Sequence, residues 1–304
     1  MSATPLESVA IVTVTYNSSG ALEPFLASVR RSESPAVTVV VADNDSGDAD
    51  ASRRISQSYG AVFLEVGANL GYGGAVNTAV RSFGPDTAYI LVSNPDVELG
   101  AGALRTLMER LDANPAAAAA GPRVLNADGT TYPSARRLPS LRTGVGHALL
   151  TGIWPGNPWT RAYRADESKP GERAVGWLSG SCVLLRRSAF DAVGGFDEGY
   201  FMYFEDVDLG FRLGRAGWSN LYVPSAQVVH TGAHSTATES TRMLKAHHDS
   251  AYRYLQKKYP GALLAPLRWS LRVGLTVRSR IVTMRVERAQ RRSVQAQAPS
   301  NPSR

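Results

Sequence analysis

The chain has 304 residues, 43 % hydrophobic and 19 % charged, a balance that fits one or two folded domains and excludes a mainly disordered chain. Its single cysteine, Cys182, excludes an internal disulfide and a thiolate zinc site. The net charge of +7 is uneven: Arg242–Arg304 carries 14 basic against 2 acidic residues, which leaves the first 241 positions at −5.

The N-terminus MSATPLESVAIVTVTYN has no basic segment before its apolar run, so no signal peptide is expected. Short β-branched runs then predict strands at Val9–Thr15, Val37–Ala42, Ala61–Val66 and Ala88–Ser93. Helical patterns fall near Ala21–Arg31, Ala49–Tyr59, Gly74–Phe83 and Gly102–Ala113. This alternation predicts an α/β fold with a doubly wound, mostly parallel sheet, which binds ligands at the carboxyl ends of its strands. After Ala120 the regular alternation stops. Ala127-Asp128-Gly129-Thr130 reads as a hairpin turn and Pro133–Arg173 as a long substrate loop. Trp177–Arg186 and Leu221–His230 read as strands, with a short acidic-starting helix at Phe204–Ala216 between them. The uncharged stretch Thr143–Thr160 is broken by Gly144, Gly146, Gly152, Pro155, Gly156 and Pro158, whereas a spanning helix needs about 20 mostly apolar residues. From Thr241 the pattern is helical with a break at Pro260. The expected division is a domain over 1–240 with two halves, 1–120 and 121–240. A basic helical extension over 241–292 and a disordered tail over 293–304 follow it.

Polar residues end the four strands and converge on one rim: Thr15-Tyr16-Asn17, Asp43-Asn44-Asp45, Asn69-Leu70-Gly71-Tyr72-Gly73-Gly74 and Asn94-Pro95-Asp96. Asp43 directly follows its strand, where a carboxylate can accept hydrogen bonds from a ribose or base. The glycines of the third loop fit either a tight turn before a helix or a close backbone approach to a nucleotide or sugar, with Asn69 and Asn77 as polar contacts. Position 76 is Val where a dinucleotide fingerprint needs Gly, so that fingerprint is incomplete. Asp96 can ligate a hard cation whose other positions take diphosphate oxygens, and His230, at the end of an apolar strand, can supply a nitrogen ligand. Glu205, Asp206 and Asp208 lie within four residues beside aromatics at a helix start. The macrodipole explains one acid there; another can serve as general base. His147, His247 and His248 read as surface or tail residues.

These motifs, together with Gly180-Ser181 and Gly194-Gly195-Phe196-Asp197-Glu198, follow one another in an order that resembles glycosyltransferase family 2. Within that family the order resembles the rhamnosyltransferase branch. The resemblance implies the GT-A fold, an inverting mechanism and Mg2+ or Mn2+ as cofactor. It implies that Asp43 contacts the nucleoside within a donor site of Thr15, Tyr16, Asn17, Asn69, Gly71, Gly73, Asn77 and Asn94. It further implies that Asp96 and His230 hold the metal, that Asp206 is the catalytic base, and that Gly180, Ser181, Glu205 and Asp208 lie on the acceptor side. Asn94 stands where the family's metal motif has its first acid, which gives His230 more of the work. The branch implies dTDP-L-rhamnose or another nucleotide sugar as donor. Lys245–Tyr254 and the basic helix after it resemble the members whose acceptor is a polyprenyl-diphosphate-linked N-acetylglucosamine.

Two other functions are weighed against this one. A sugar-phosphate nucleotidyltransferase needs a basic Gly-rich loop after the first strand, and Thr15–Gly20 contains no Lys or Arg. A non-catalytic, membrane-bound nucleotide-sugar binding protein stays open. Nucleic acid is not the expected partner of the tail. Its cations alternate with Leu263, Leu264, Leu267, Trp269, Leu271, Val273 and Leu275, which suits an anionic membrane surface and predicts a peripheral protein at the cytoplasmic face of the cell membrane.

Overall fold

The computed structural model describes residues 5, 8–32, 37–140, 171–232, 240–266, 269–270 and 272–274. The chain divides into two compact units, residues 1–238 and 239–304.

The first unit is built on β1 (Val9–Thr15), β2 (Thr38–Asp43), β3 (Val62–Glu65) and β4 (Tyr89–Ser93), which pair in parallel in the order β3-β2-β1-β4. Every residue of β1 is buried, because helices cover both faces of the sheet, which is why its sequence is a continuous β-branched run. Successive side chains point to opposite faces. Ile11 packs in one layer with Leu22, Phe25 and Leu26 of α1 (Ser19–Ser32) and with Leu104 and Leu107 of α4 (Ala103–Ala113). Val12 packs in the other with Ala75, Val76 and Ala79 of α3 (Gly71–Arg81). On the first face α2 (Ala49–Ser58) adds Ile55 to the layer.

The second half of this unit continues the same sheet with mixed directions. Beside β4 runs β11 (Cys182–Arg186), antiparallel, then β6 (Ala117–Asn126), β12 (Ser219–His230) and the short β5 (Val97–Leu99). Strands β7 (Thr131–Tyr132) and β9 (Arg173–Val175) pair with β6 and β12, while β8 (Ala135–Arg136) and β10 (Trp177–Leu178) form a separate two-stranded sheet. Helices α5 (Arg187–Ala192) and α6 (Glu205–Arg215) join α3 on the second face through Phe190, Leu209 and Leu213.

The α/β expectation holds, with four local differences. β6 reads AAAAGPRVLN, a helix-favouring run by composition, yet Ala117–Ala120 are buried and Leu184 and Leu185 of β11 lie opposite Ala120 and Ala119; packing overrides local propensity there. The expected strand Trp177–Arg186 is two strands separated by Ser179-Gly180-Ser181. Helix α3 begins at Gly71 instead of Gly74. The expected long loop contains β8, and β9 begins at its last residue; its central residues 141–170, with Trp154 and Trp159, lie outside the described residues.

Among its described residues the second unit contains α7 (Ser240–Lys258) and a 3-10 turn at Ala262–Leu264. His248 is buried, against the expectation of a surface residue, as are Ser250 and Tyr254. Trp269 is 67 % exposed. Among the described residues no helix is long and apolar enough to cross a membrane.

Candidate functional site

The carboxyl ends of β1, β2 and β4 and the start of α3 form one rim, as the parallel order requires. At the first two ends the loops are tied to each other. Asp43, 2 % exposed, accepts the Thr15 hydroxyl at 3.0 Å on Oδ2 and the Ser46 N–H at 3.0 Å on Oδ1. Asn17 adopts φ 50°, a left-handed conformation that Asn tolerates. Its N–H donates to the Ser46 hydroxyl and its Oδ1 accepts the Gly47 N–H at 2.7 Å. The Tyr16 N–H donates to the Ser18 hydroxyl at 3.2 Å. The sequence order did not reveal Asn44, which is buried. Its side chain donates to Asn69 Oδ1 at 3.0 Å and accepts the Leu70 N–H at 3.0 Å, so it joins the second loop to the third.

Asn69 also accepts the Gly71 N–H at 3.1 Å, which fixes the turn into α3. The glycines of that turn make their close approaches within the chain. Gly71 has φ +75°, and a Cβ there would lie 2.1 Å from the Phe201 carbonyl oxygen. A Cβ at Gly73 would lie 2.8 Å from Phe196 Cβ. Asn77 is directed to the same segment: its Nδ2 donates to Phe196 O at 2.8 Å and to Glu198 at 3.1 Å, and its Oδ1 accepts the Phe196 N–H at 3.0 Å. These bonds use both donors and the oxygen of Asn77 to clamp the 196–198 loop.

Asn94, Asp96 and His230 come together although 134 residues separate the last two. Pairing of β12 with β5 sets His230 opposite Val97, so the imidazole falls beside the residue before it. Nε2 lies 3.0 Å from Asp96 Oδ1 and 3.5 Å from Asn94 Nδ2. The Asp96 carbonyl accepts the Thr231 N–H at 3.0 Å, and the Tyr132 ring meets His230 edge-on with centroids 6.2 Å apart. Neighbouring ligands on an octahedral cation with bonds of about 2.1 Å lie about 3 Å apart. A carboxylate oxygen and an imidazole nitrogen at 3.0 Å therefore suit two adjacent positions on Mg2+ or Mn2+. Among the described residues no group of three or more His, Cys, Asp or Glu could hold a metal.

The Gly180-Ser181 turn lies between that pair and the acids of α6. The Ser181 carbonyl accepts the Asn94 N–H at 2.9 Å, and the Gly180 N–H donates to Asp206 Oδ2 at 3.0 Å. Burial pushes the Asp206 carboxyl above its ordinary value, while the Gly180 and Val207 N–H groups and the Arg136 guanidinium pull it back. Glu205, 7 % exposed with Oε2 unpartnered among the described residues, is pushed up to about 8 by burial and by the Asp206 charge. Burial raises both acids of this coupled pair, Glu205 to about 8, while the Gly180 and Val207 N–H groups favour the charged form of Asp206. Tyr203 and Phe204, both at φ 65°, turn the chain sharply into α6. Asp208 is fully buried. It accepts Arg212 Nε at 2.6 Å and the Tyr200 hydroxyl at 3.3 Å, so it anchors the start of the helix. Tyr72 was quoted only as part of a glycine motif, yet its hydroxyl donates to Gly180 O at 2.7 Å.

A family model described as glycosyl transferase family 2 matches residues 10–194, and one described as glycosyl transferase family group 2 matches residues 159–286. The chain is 47 % identical over 291 residues to N-acetylglucosaminyl-diphospho-decaprenol L-rhamnosyltransferase of Mycobacterium tuberculosis, covering 93 % of this chain and 95 % of that protein. It is 30 % identical over 226 residues to the rhamnosyltransferase WbbL of Escherichia coli, covering 72 % and 82 %. A mannosyltransferase from Pyrobaculum calidifontis, solved in complex with GDP-Man and Mn2+, superposes with a TM-score of 0.56 at 17 % identity over 97 % of this chain and 76 % of that one. GalNAc-T7, solved with UDP, GalNAc and Mn2+, gives 0.57 at 15 % identity over 88 % and 54 %.

Proposed function

The chain belongs to glycosyltransferase family 2, and from that premise we propose that it transfers L-rhamnose from dTDP-L-rhamnose to a polyprenyl-diphosphate-linked N-acetylglucosamine, with inversion and with a divalent cation. Glycosyl transfer follows from the family; the sugars and the cation are the proposal. The observation that carries it is the Gly180-Ser181 turn, whose one residue binds the loop of the Asp96–His230 pair and whose other binds Asp206. A leaving-group site and a base are thereby held on two sides of one point.

In this reading the rim residues Thr15, Tyr16, Asn17, Asp43 and Asn69 receive the nucleoside, and Asn94 lies beside the diphosphate. Asp96 and His230 hold Mg2+ or Mn2+, a reading that the Mn2+ bound in the two structures of the same fold supports. When bound, the cation offsets the charge that develops on the diphosphate as the glycosidic bond breaks. Asp206 accepts the proton of the attacking hydroxyl. Its partial burial raises its basicity, and the Gly180 N–H keeps the carboxylate aimed. Attack from the side of Asp206, opposite the diphosphate, inverts the anomeric centre. Glu205 stays protonated beside it, which spares the site a second negative charge.

The chain's division into a catalytic body over 1–240 and a basic extension over 241–292 serves the acceptor. A polyprenyl diphosphate stays in the bilayer, and the excess of cations after Arg242 with the exposed Trp269 supports peripheral attachment at an anionic, cytoplasmic surface.

The test is a transfer assay with purified full-length protein, the polyprenyl-linked acceptor and a panel of labelled nucleotide sugars. Product from dTDP-L-rhamnose that disappears in excess chelator and returns with Mg2+ or Mn2+ is the expected result. Full activity in chelator refutes the metal pair, and preference for another nucleotide sugar refutes the donor.

A further inference from the structure

Tyr72 is a polar residue at the site to which the mechanism above gives no task. It opens α3 on the donor side, and three contacts fix it. Its N–H donates to Phe201 O at 3.2 Å. Its ring meets Phe196 edge-on at 6.4 Å. Its hydroxyl donates to Gly180 O at 2.7 Å. Gly180 in turn donates its N–H to Asp206 Oδ2 at 3.0 Å. Gly180 is buried, so its carbonyl has no solvent to replace the phenol, and an unpaired buried acceptor is costly. The residue also has no side chain to hold it in place. A Cβ there would sit 3.4 Å from Tyr72 Cε1 and 3.6 Å from Asp206 Cβ, so the turn passes between the two with its orientation set by hydrogen bonds.

We propose that Tyr72 is a positioning residue for the catalytic base: by pinning the Gly180 carbonyl it aims the Gly180 N–H at Asp206 and so couples the donor-side loop to the group that activates the acceptor. The inference rests on the reading of Asp206 as the base. Burial and the nearby Glu205 and Asp206 hold the phenol well above its usual range, so it keeps its proton and remains a donor throughout the working pH range. The other charged groups acting on Asp206 are Glu205 from its own helix and Arg136 from β8. Neither is altered by removing the phenol oxygen.

The experiment compares wild type, Y72F, D206N and the double variant, all full length. The first readout needs no substrate: the difference in Tm between each protein and its D206N counterpart, followed across pH, reports where the coupled Glu205–Asp206 pair takes up its proton. Loss of a fixed N–H donor destabilises the charged form, so Y72F is expected to move this point upward by about half a pH unit or more. The second readout is transfer kinetics. Y72F is expected to lower kcat about tenfold with KM for donor and acceptor within about twofold, and to slow D206N no further, the non-additivity of residues acting through one another. An unmoved titration, a loss confined to KM, or the same fold-loss in the D206N background overturns the proposal. Y72F keeps the ring on Phe196, and a Tm more than about 10 °C below wild type also counts against it, because a residue that only aims a turn is not needed for folding. If wild type itself fails to use dTDP-L-rhamnose, the functional reading fails, and the titration still decides the role of Tyr72.

Discussion

Glu205 and Asp206 are adjacent in sequence and differ in their partners, because one side chain enters the core and the other meets the Gly180 N–H. Glu205 supplies a stability test. Its folded value of about 8 lies above the ordinary value of 4.5, so the folded state binds the proton more tightly. The stabilisation is complete below about pH 4.5 and is lost as pH rises toward 8. Thermal unfolding of E205Q, which cannot titrate, should therefore gain on wild type between pH 5 and 8 and run parallel to it above. A constant difference would contradict the protonated assignment. For the metal pair, Mn2+ should raise the Tm of wild type, and D96A and H230A should lose most of that shift. Asp96 and Asp206 could be singled out from the sequence, since each ends a run or opens a helix. That Asp96 meets His230 could not be read locally, because it depends on β12 pairing with β5.

The elements divide in the same way. The βα alternation up to Ala113 is visible in the sequence because β1 and β4 are buried along their whole length and the helices between the strands alternate buried and exposed positions. The second half is less visible, since β6 is an alanine run chosen for close packing against its neighbours, and β10 and β11 look like one strand until Gly180 breaks them. Glycines in the α3 turn are explained by the chain's own crowding: G71A must place a Cβ 2.1 Å from Phe201 O at φ +75°. It should cost about 2 kcal/mol or more, measured by denaturant unfolding. The buried Asp208–Arg212 pair predicts a second loss. Removing one partner strands the other's charge, so D208A should destabilise by about 3 kcal/mol. A variant as stable as wild type would contradict this anchoring role.

At the scale of the molecule, a net −5 over the first 241 residues and 14 cations against 2 acids after them support the proposed separation of chemistry from attachment. Deleting the chain from Ala262 onward should abolish sedimentation with anionic vesicles and impair transfer to a lipid acceptor, while slow hydrolysis of the nucleotide sugar survives. Raising salt should weaken the full-length protein's attachment in the same assay. Composition makes this asymmetry legible without any structure, whereas the choice of sugar is not legible at all: it came from likeness to relatives, since fold and motif do not encode it. The central claim is that Asp206 activates the acceptor, and the direct measurement is the turnover of D206N with dTDP-L-rhamnose, Mn2+ and the polyprenyl-linked acceptor, alongside donor binding by calorimetry. The account predicts unchanged donor binding with kcat lower by about two to four orders of magnitude, the usual contribution of a positioned base. Turnover near that of wild type would contradict it.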